Sequence, residues 1–404
     1  MAGIVVIGGG QAGASAVARL RSGGYAGPVT LIGEEAEPPY QRPPLSKAYL
    51  KGEMDKERLY LRPLSYYADN AIALVTGATV NAIDRADKTV IAGGQSYAYD
   101  DLILATGSVP RRLPGAFGGE LAGVHVVRTI YDIDEMAPAM RAGARALIVG
   151  GGYIGLEAAA VAAQRGLTVT LVEMADRILQ RVAAPETSAY FRTLHSGHGV
   201  DLREGVGLAR LTDTDGAVTG AELSDGSTLT CDIVIVGVGI SPATSLAEAA
   251  GLTIDNGIAV DAHGRTSDPA IWAAGDCASF PWRGDRIRLE SVQNAIDQAE
   301  AVADNILGAN TAYDPHPWFW SDQYDIKLQI AGLNTGYDRI VARAGDRAGS
   351  LSHWYYSGAA LLSVDAMNDP RAYMIGKRMI ENGISPDPAA VADPAQNLKA
   401  LMSA

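Results

Sequence analysis

Cysteine is nearly missing from this chain: Cys231 and Cys277 are the only two among 404 residues, far apart and in no C-x-x-C pair. Their scarcity excludes a disulfide framework, a thiolate metal centre and a vicinal redox disulfide, so each reads as a plain buried thiol and no metal ligands are assigned. Long apolar runs are missing as well, and without about 18 consecutive apolar residues no membrane span is expected. Positive charge is short: 33 Lys and Arg face 46 Asp and Glu, a net −13, so the average surface repels nucleic acid and anionic lipid. No basic segment leads into an apolar stretch at the start, where Met1-Ala2-Gly3-Ile4-Val5-Val6-Ile7 begins as a strand. No secretory signal is read there, and cytoplasmic residence is expected. A hydrophobic content of 48% excludes wholesale disorder. The length exceeds one ordinary core, so two or three domains are expected.

Glycine, by contrast, abounds, with 46 residues, and its clusters fall at strand ends. The first follows the apolar stretch Ile4 to Ile7 and reads Gly8-Gly9-Gly10-Gln11-Ala12-Gly13, ahead of an alanine-rich helix from Ala14 to Arg21. This is G-x-G-x-x-G at a strand-to-helix turn. Gly8 permits the tight turn, Gly10 lets the backbone approach a pyrophosphate, Gly13 lets helix and strand pack, and the helix N-terminus offers amide donors. A second strand, Val29 to Ile32, runs through Gly33 into Glu34, about 20 residues on, where a carboxylate can accept from the hydroxyls of an adenosine ribose.

The pattern returns mid-chain. Ala146 to Val149 leads into Gly150-Gly151-Gly152-Tyr153-Ile154-Gly155, then a helix from Leu156 and a strand ending in Glu173. A carboxylate at Glu173 repels a 2′-phosphate and accepts from a free 2′-hydroxyl, so this second site should prefer NADH to NADPH. Arg177, four residues on, could pair with Glu173 or reach a phosphate. Two dinucleotide sites imply two dinucleotides, and a nicotinamide donor with a flavin acceptor is the pairing that needs both in one protein.

Three further segments carry a resemblance: Leu102-Ile103-Leu104-Ala105-Thr106-Gly107, Val234-Ile235-Val236-Gly237-Val238-Gly239-Ile240-Ser241-Pro242, and Ile271-Trp272-Ala273-Ala274-Gly275-Asp276. Together they resemble the glutathione-reductase-like flavoproteins. The first two, with Ala105, Thr106, Gly107 and Gly239, are then the strand exits where the FAD domain breaks off and the NAD domain returns. Asp276 holds the FAD ribityl chain, a role compatible with its also starting a helix. The disulfide-reductase branch of that family needs cysteines facing the flavin, and Pro39 to Leu50 has none. That stretch instead contains Arg42-Pro43-Pro44-Leu45-Ser46-Lys47, similar to the signature of the putidaredoxin-reductase-like NADH:ferredoxin reductases of oxygenase systems.

The resemblance implies site roles. Lys47 lies beside the flavin N5, and Glu157 pairs with it across the domain boundary and orients the nicotinamide, the two acting as a unit because either ion buried alone is costly. Arg42 and Arg128 match FAD-contacting positions or are structural, and the backbones of Ala12 and Val80 touch the FAD diphosphate and adenosine. A helix starting near Val292 points its amides at the flavin pyrimidine. Trp320 lies against the flavin face, while Trp318 and Phe319 are expected in the core.

The expected fold is α/β, with two Rossmann-like, glutathione-reductase-like dinucleotide domains and a C-terminal α+β domain. Residues 1–109 and 237–310 form the FAD-binding domain, 110–236 the NAD-binding domain and 311–404 an interface domain. The last contains strands at Ile326 to Ala331, Ile340 to Arg343 and Ser350 to Val364 broken at Gly358, helices after Pro370 and near Gln396, and a connector from Ser385 to Pro394. NADH, held at Gly150, Gly152, Gly155 and Glu173, is expected to pass hydride to FAD, and the electrons then go singly to a [2Fe-2S] ferredoxin serving a cytochrome P-450-type monooxygenase. No general acid or base is required, because proximity of the rings carries the rate. A ferredoxin is expected to dock transiently on basic residues, with Arg283, Arg286 and Arg288 either the docking cluster or a solvated loop. The chain is expected as a monomer or weak dimer, without nucleic-acid or membrane partners. A rubredoxin, a Rieske-type ferredoxin or a quinone are rival acceptors, and a binding role like that of the apoptosis-inducing-factor-like flavoproteins is the rival class.

Overall fold

In the computed structural model, which describes residues 2–402, the first strand, Gly3–Ile7, is buried along its whole length, as a strand covered on both faces requires. It pairs in parallel with Val29–Ile32 on one side and with the C-terminal half of Gln95–Leu104 on the other. Ile72–Val75 and Ile271–Ala273 extend the parallel sheet at its two ends. The N-terminal half of Gln95–Leu104 turns the other way and builds an antiparallel meander with Thr89–Ala92 and Val80–Asp84. Helices Gln11–Ser22 and Val292–Ile306 supply alanines and Val17, Leu20 and Val302 to the core on one face of this sheet. Cys277 belongs to the core on the other.

The chain divides into two compact units, 1–42 with 55–109 and 240–315, and 43–54 with 110–239 and 316–404. The segment 43–54, which the sequence reading groups with the first domain, belongs to the second unit because Arg165 Nη1 donates to Leu50 O at 2.8 Å and Tyr49 to Asp134 at 2.7 Å. Within that unit the first architecture is repeated. Arg145–Val149 is the central strand of a parallel sheet in the order Asp201–Glu204, Thr168–Glu173, Arg145–Val149, Ile233–Val236 and Val124–His125. A three-stranded antiparallel sheet, Leu208–Thr214, Ala217–Leu223 and Thr228–Thr230, again accompanies it.

The remaining residues of the second unit form a five-stranded antiparallel sheet in the order Trp318–Gln323, Ile326–Gly332, Ala360–Met367, Leu351–Ser357 and Arg339–Ala344. The strand break expected at Gly358 is a tight turn at φ +56. Helix Pro370–Glu381, capped by Asp369, lays Ala372, Tyr373, Ile375 and Met379 into the core of this sheet. Two expectations fail here. The stretch 385–394 is no plain connector: Asp387 caps a short helix at Pro388–Ala392. Near Gln396 there is a turn, followed by a single 3₁₀ turn at Ala400–Met402, because the Asp393 and Asn397 side chains bond the backbone amides two residues on and compete with helix.

Candidate active site

The two glycine-rich turns are built alike, and each glycine has its own reason. At Gly8 the backbone has φ +121 and a Cβ would lie 2.0 Å from the Ala105 carbonyl oxygen; at Gly150 φ is +107 and the Cβ would lie 2.5 Å from Gly237 O. Gly13 and Gly155 close the helix onto the turn, since a Cβ on either would sit 2.0 Å from the carbonyl oxygen of Gly8 or Gly150. Gly10 and Gly152 differ: both have ordinary φ, and a Cβ would meet nothing within 4 Å. They are therefore glycine for the sake of open space, not for the fold. Each is the N-cap of its helix, Gln11–Ser22 or Tyr153–Gln164, with no side-chain cap and no acid in the first turn. The first amides, including those of Ala12, Tyr153 and Ile154, are left for a ligand that brings negative charge and acceptors. Both turns thus fit a dinucleotide diphosphate.

The acids after the second strands are held differently. Glu34 is exposed and accepts from Thr79 Oγ1 at 3.3 Å. Glu173 accepts from the amides of Gly151 at 2.6 Å and Ala175 at 2.8 Å, so its position is fixed by backbone. Arg177 does not pair with Glu173; it donates to Ser188 Oγ at 2.6 Å and Gln180 O.

In the first unit, Ala105, Thr106 and Gly107 follow the end of Gln95–Leu104, with Thr106 Oγ1 donating to Ala243 O at 2.7 Å and Gly107 at φ +69. Asp276 accepts from Ser108 Oγ at 2.8 Å. It starts no helix and caps none: it occupies the turn joining Ile271–Ala273 to Ala278–Trp282. Arg42 makes an ion pair with Glu35 at 2.6 Å and lies over the Tyr40 ring, and Val80 is half-buried at the start of its strand. The helix from Val292 forms as expected, with Ser291 Oγ accepting the Asn294 amide and leaving those of Val292 and Gln293 uncapped. The arginine cluster also has local partners, while Arg283 and Arg286 stay exposed. Arg286 donates to Val260 O and Ser279 O, Arg288 pairs with Glu290, and Arg283 lies over Trp282.

In the second unit the sequence Leu45–Tyr49 winds into an irregular turn that carries Lys47. Its Nζ donates to Glu157 Oε2 at 2.8 Å and to Pro43 O at 3.4 Å. Glu157, on Tyr153–Gln164 and 3% exposed, also receives Ser46 Oγ on Oε2 and Ser321 Oγ on Oε1, each at 2.8 Å. Lys47 keeps 20% of its side chain exposed, so one ion reaches solvent in part while its partner is sealed in. The expected pair therefore forms, with both residues in the second compact unit. Trp320 is half-buried on Trp318–Gln323, with its ring 5.6 Å from that of Trp318, which packs on the C-terminal core. Phe319 is not in that core; its ring lies 4.9 Å from Tyr153 on the glycine-turn helix. Gly239 has φ +101, and the Arg128 amide donates to Asp132 ahead of the Thr129 cap.

Sequence reasoning assigned nothing to Ser321, Gln323 or His195, although all are fully buried and joined to Glu157 by hydrogen bonds. Ser46 adjoins Lys47 in the signature and could have been suspected; the others carry no sequence signal. The two cysteines are buried thiols, and burial pushes Cys231 up to about 11.

Two glycine turns ready for diphosphates, each beside an acid, and a buried Lys–Glu pair define an oxidoreductase of the two-dinucleotide class. The chain belongs to the pyridine nucleotide-disulphide oxidoreductases, whose family profile matches residues 2–299, and residues 318–402 match the reductase C-terminal family. Among curated relatives, rhodocoxin reductase of Rhodococcus erythropolis is 43% identical over 98% of this chain and 93% of its own. A ferredoxin--NAD(P)(+) reductase of a Sphingomonas species is 44% identical over 99% and 97%. Among solved structures, the reductase of the covalent putidaredoxin reductase–putidaredoxin complex superposes with a TM-score of 0.95 at 40% identity, covering 100% of this chain and 98% of that one. The protein is an electron-transferring oxidoreductase, and its cofactors are FAD and NADH. No helix among the described residues is long and apolar enough to cross a membrane.

Proposed function

We propose that this protein is an NADH-dependent ferredoxin reductase that feeds a [2Fe-2S] ferredoxin of an oxygenase system of the cytochrome P-450 type. FAD, when bound, supplies a carrier that accepts a hydride and gives up two electrons one at a time. In this reading Gly8, Gly10, Ala12 and Gly13 hold its diphosphate and Glu34 its adenosine ribose, with Arg42, Val80, Ala105, Thr106, Gly107, Arg128, Asp276, Val292, Trp320 and Gly239 as further contacts. Residues 1–109 and 237–310 serve FAD, 110–236 serve NADH, and 311–404 form the third part. NADH binds at Gly150, Gly152, Tyr153, Ile154 and Gly155, and Glu173 favours it over NADPH.

The observation that carries the reading is the Lys47–Glu157 pair, one ion sealed and the other partly exposed. Glu157 fixes the ammonium by charge and hydrogen bond, so Lys47 presents a cation without the freedom of a surface lysine. A cation so held favours gain of negative charge beside it. The ferredoxin assignment is supported by the relatives' names and by the putidaredoxin complex. Electrons leave to a soluble partner in the cytoplasm, where reduced buried thiols such as Cys231 and Cys277 are at home.

The test is NADH-driven cytochrome c reduction by the purified yellow protein, with and without an added [2Fe-2S] ferredoxin. Stimulation of roughly tenfold or more by ferredoxin is expected. Rapid flavin bleaching by NADH without stimulation would move the search to a rubredoxin, quinone or oxygen as acceptor.

A further inference from the structure

The buried carboxylate of Glu157 stands at the end of a chain of side chains that the hydride chemistry leaves unexplained. Ser321 Oγ donates to Glu157 Oε1 at 2.8 Å, Gln323 Nε2 donates to Ser321 Oγ at 3.2 Å, and His195 Nε2 lies 2.8 Å from Gln323 Oε1. Tyr324 O–H is 3.4 Å from His195 Nδ1, and the Tyr324 ring stacks on exposed His198 at 3.7 Å. Ser321, Gln323 and His195 are buried to the last atom, yet each polar group has a partner.

The hydrogen-bond polarity along this chain has one consistent direction. A carboxylate only accepts, so Ser321 must donate to Glu157 and keeps its lone pair for Gln323. The Gln323 amide then points its oxygen at His195, which fixes His195 as the neutral tautomer with the proton on Nε2. Nδ1 is left as an acceptor, matching the Tyr324 hydroxyl. Burial agrees, holding His195 down to about 4, so the ring is uncharged at neutral pH. Were Gln323 turned over, its oxygen would face the Ser321 oxygen and compete with Glu157 Oε1 for the one hydroxyl proton. The buried histidine therefore decides, through two intermediates, whether the carboxylate is fully supplied.

We propose that Ser321, Gln323 and His195 are positioning residues that lock the Glu157 carboxylate, and through it the Lys47 ammonium, in the geometry used for hydride transfer. The proposal rests on the reading that Lys47 and Glu157 serve that step. Two features distinguish this chain from ordinary core filling. All the donors along the chain run toward one carboxylate, and Ser321 and Gln323 are on Trp318–Gln323, the strand that also carries Trp320 and Phe319 beside Tyr153. The strand thus ties the residue that holds Glu157 to the aromatic residues next to the second glycine turn.

The experiment measures NADH oxidation by the FAD-loaded protein with ferricyanide as acceptor, so no ferredoxin is needed. Glu157→Gln, Ser321→Ala, Ser321→Thr, His195→Leu and His195→Gln are compared, with Ser321→Ala also made in the Glu157→Gln background. Ser321→Ala should lower kcat roughly tenfold, the value of one charge-assisted hydrogen bond, with a smaller change in the KM for NADH. Ser321→Thr, which restores the hydroxyl, should recover to within about threefold of the parent. His195→Gln, which can still donate, should outperform His195→Leu. In the Glu157→Gln background the serine change should cost less than about twofold, because the charged acceptor it serves is gone and only a neutral amide oxygen is left. A serine effect that persists undiminished there overturns the proposal, since a merely structural role would be additive. If Ser321→Ala does not hold flavin, Ser321→Cys keeps the shape while weakening the donor and is read in the same way. Loss on Glu157→Gln with parental activity in the serine and histidine variants overturns the positioning chain alone. Parental activity in Glu157→Gln instead overturns the role given to the Lys47–Glu157 pair.

Discussion

Lys47 and Glu157 depend on one another because neither ion has another full-charge partner among their described contacts. Removing either leaves the other in a poorly solvated place, a loss that for buried pairs runs to about 3–5 kcal/mol and that the partial exposure of Lys47 reduces. Lys47→Met and Glu157→Gln should each slow NADH-dependent ferricyanide reduction roughly tenfold or more, and the double variant should be little worse than either. Additive losses would separate the two residues into independent tasks. Glu173 permits a second test at this scale. Its carboxylate is already aligned by the Gly151 and Ala175 amides, which leaves it preset for a free ribose diol. Glu173→Ala should raise the KM for NADH about tenfold and narrow the NADH-to-NADPH preference, since a lost charge-assisted hydrogen bond is worth about 1.5–3 kcal/mol. An unchanged ratio would remove Glu173 from cofactor choice.

At the scale of the element, the strand–turn–helix units separate folding from binding within six residues. Gly13→Ala and Gly155→Ala would each drive a methyl to 2.0 Å from a carbonyl oxygen inside the turn. These variants should be poorly soluble or lose several degrees in thermal midpoint. Gly10→Ala and Gly152→Ala meet open space and should fold normally. What they should lose is ligand: Gly10→Ala the ratio of visible flavin to protein absorbance, and Gly152→Ala NADH affinity with flavin content intact. A fully flavin-loaded Gly10→Ala would dismiss the diphosphate reading of that turn, and a normally folded Gly13→Ala its steric one. The helix Val292–Ile306 shows the same economy, since Ser291 satisfies one amide and leaves the first two.

For the whole molecule, buried titratable groups set the response to acid. His195 and His353 are held down to about 4 by burial, while burial raises Asp365 to about 6. Asp365, His353 and Tyr355 share Thr187, whose hydroxyl bonds Asp365 Oδ2 at 2.9 Å. Between pH 6.5 and about 4 the unfolded chain binds more protons at each histidine than the folded one, so stability falls as the pH falls through that range. Asp365 acts oppositely: between about 6 and 3.8 the folded state holds the extra proton, and acidification favours it. Two histidines act in one direction and one aspartate in the other, so acidification is expected to cost net stability. Denaturant midpoints measured from pH 7 to 4 should fall, and His353→Gln should flatten the curve. A flat parental curve would refute the assignment of these histidines as buried and neutral.

Sequence alone determined whatever depends on neighbours in the chain. The turn geometry at Gly8 and Gly150, the helices after them, the acids closing the next strands and the buried strands of both parallel sheets follow from short spacings, where sterics and periodicity act locally. Lys47 and Glu157 were reached through the signature around Lys47, not through spacing. Tertiary structure alone decided what those residues meet. It brought Ser46 and Ser321 to one carboxylate from 111 and 164 positions away, set His195 against Gln323 across 128, and gave Arg286 and Arg288 local oxygen partners. It moved Asp276 from a supposed helix start into a turn beside Ser108, and took Phe319 from a supposed core to Tyr153. Serine, glutamine and histidine have no period or preferred neighbour that foretells such meetings. A buried polar group needs partners from whichever elements the packing supplies, and that choice is made only when the sheets and helices close on one another.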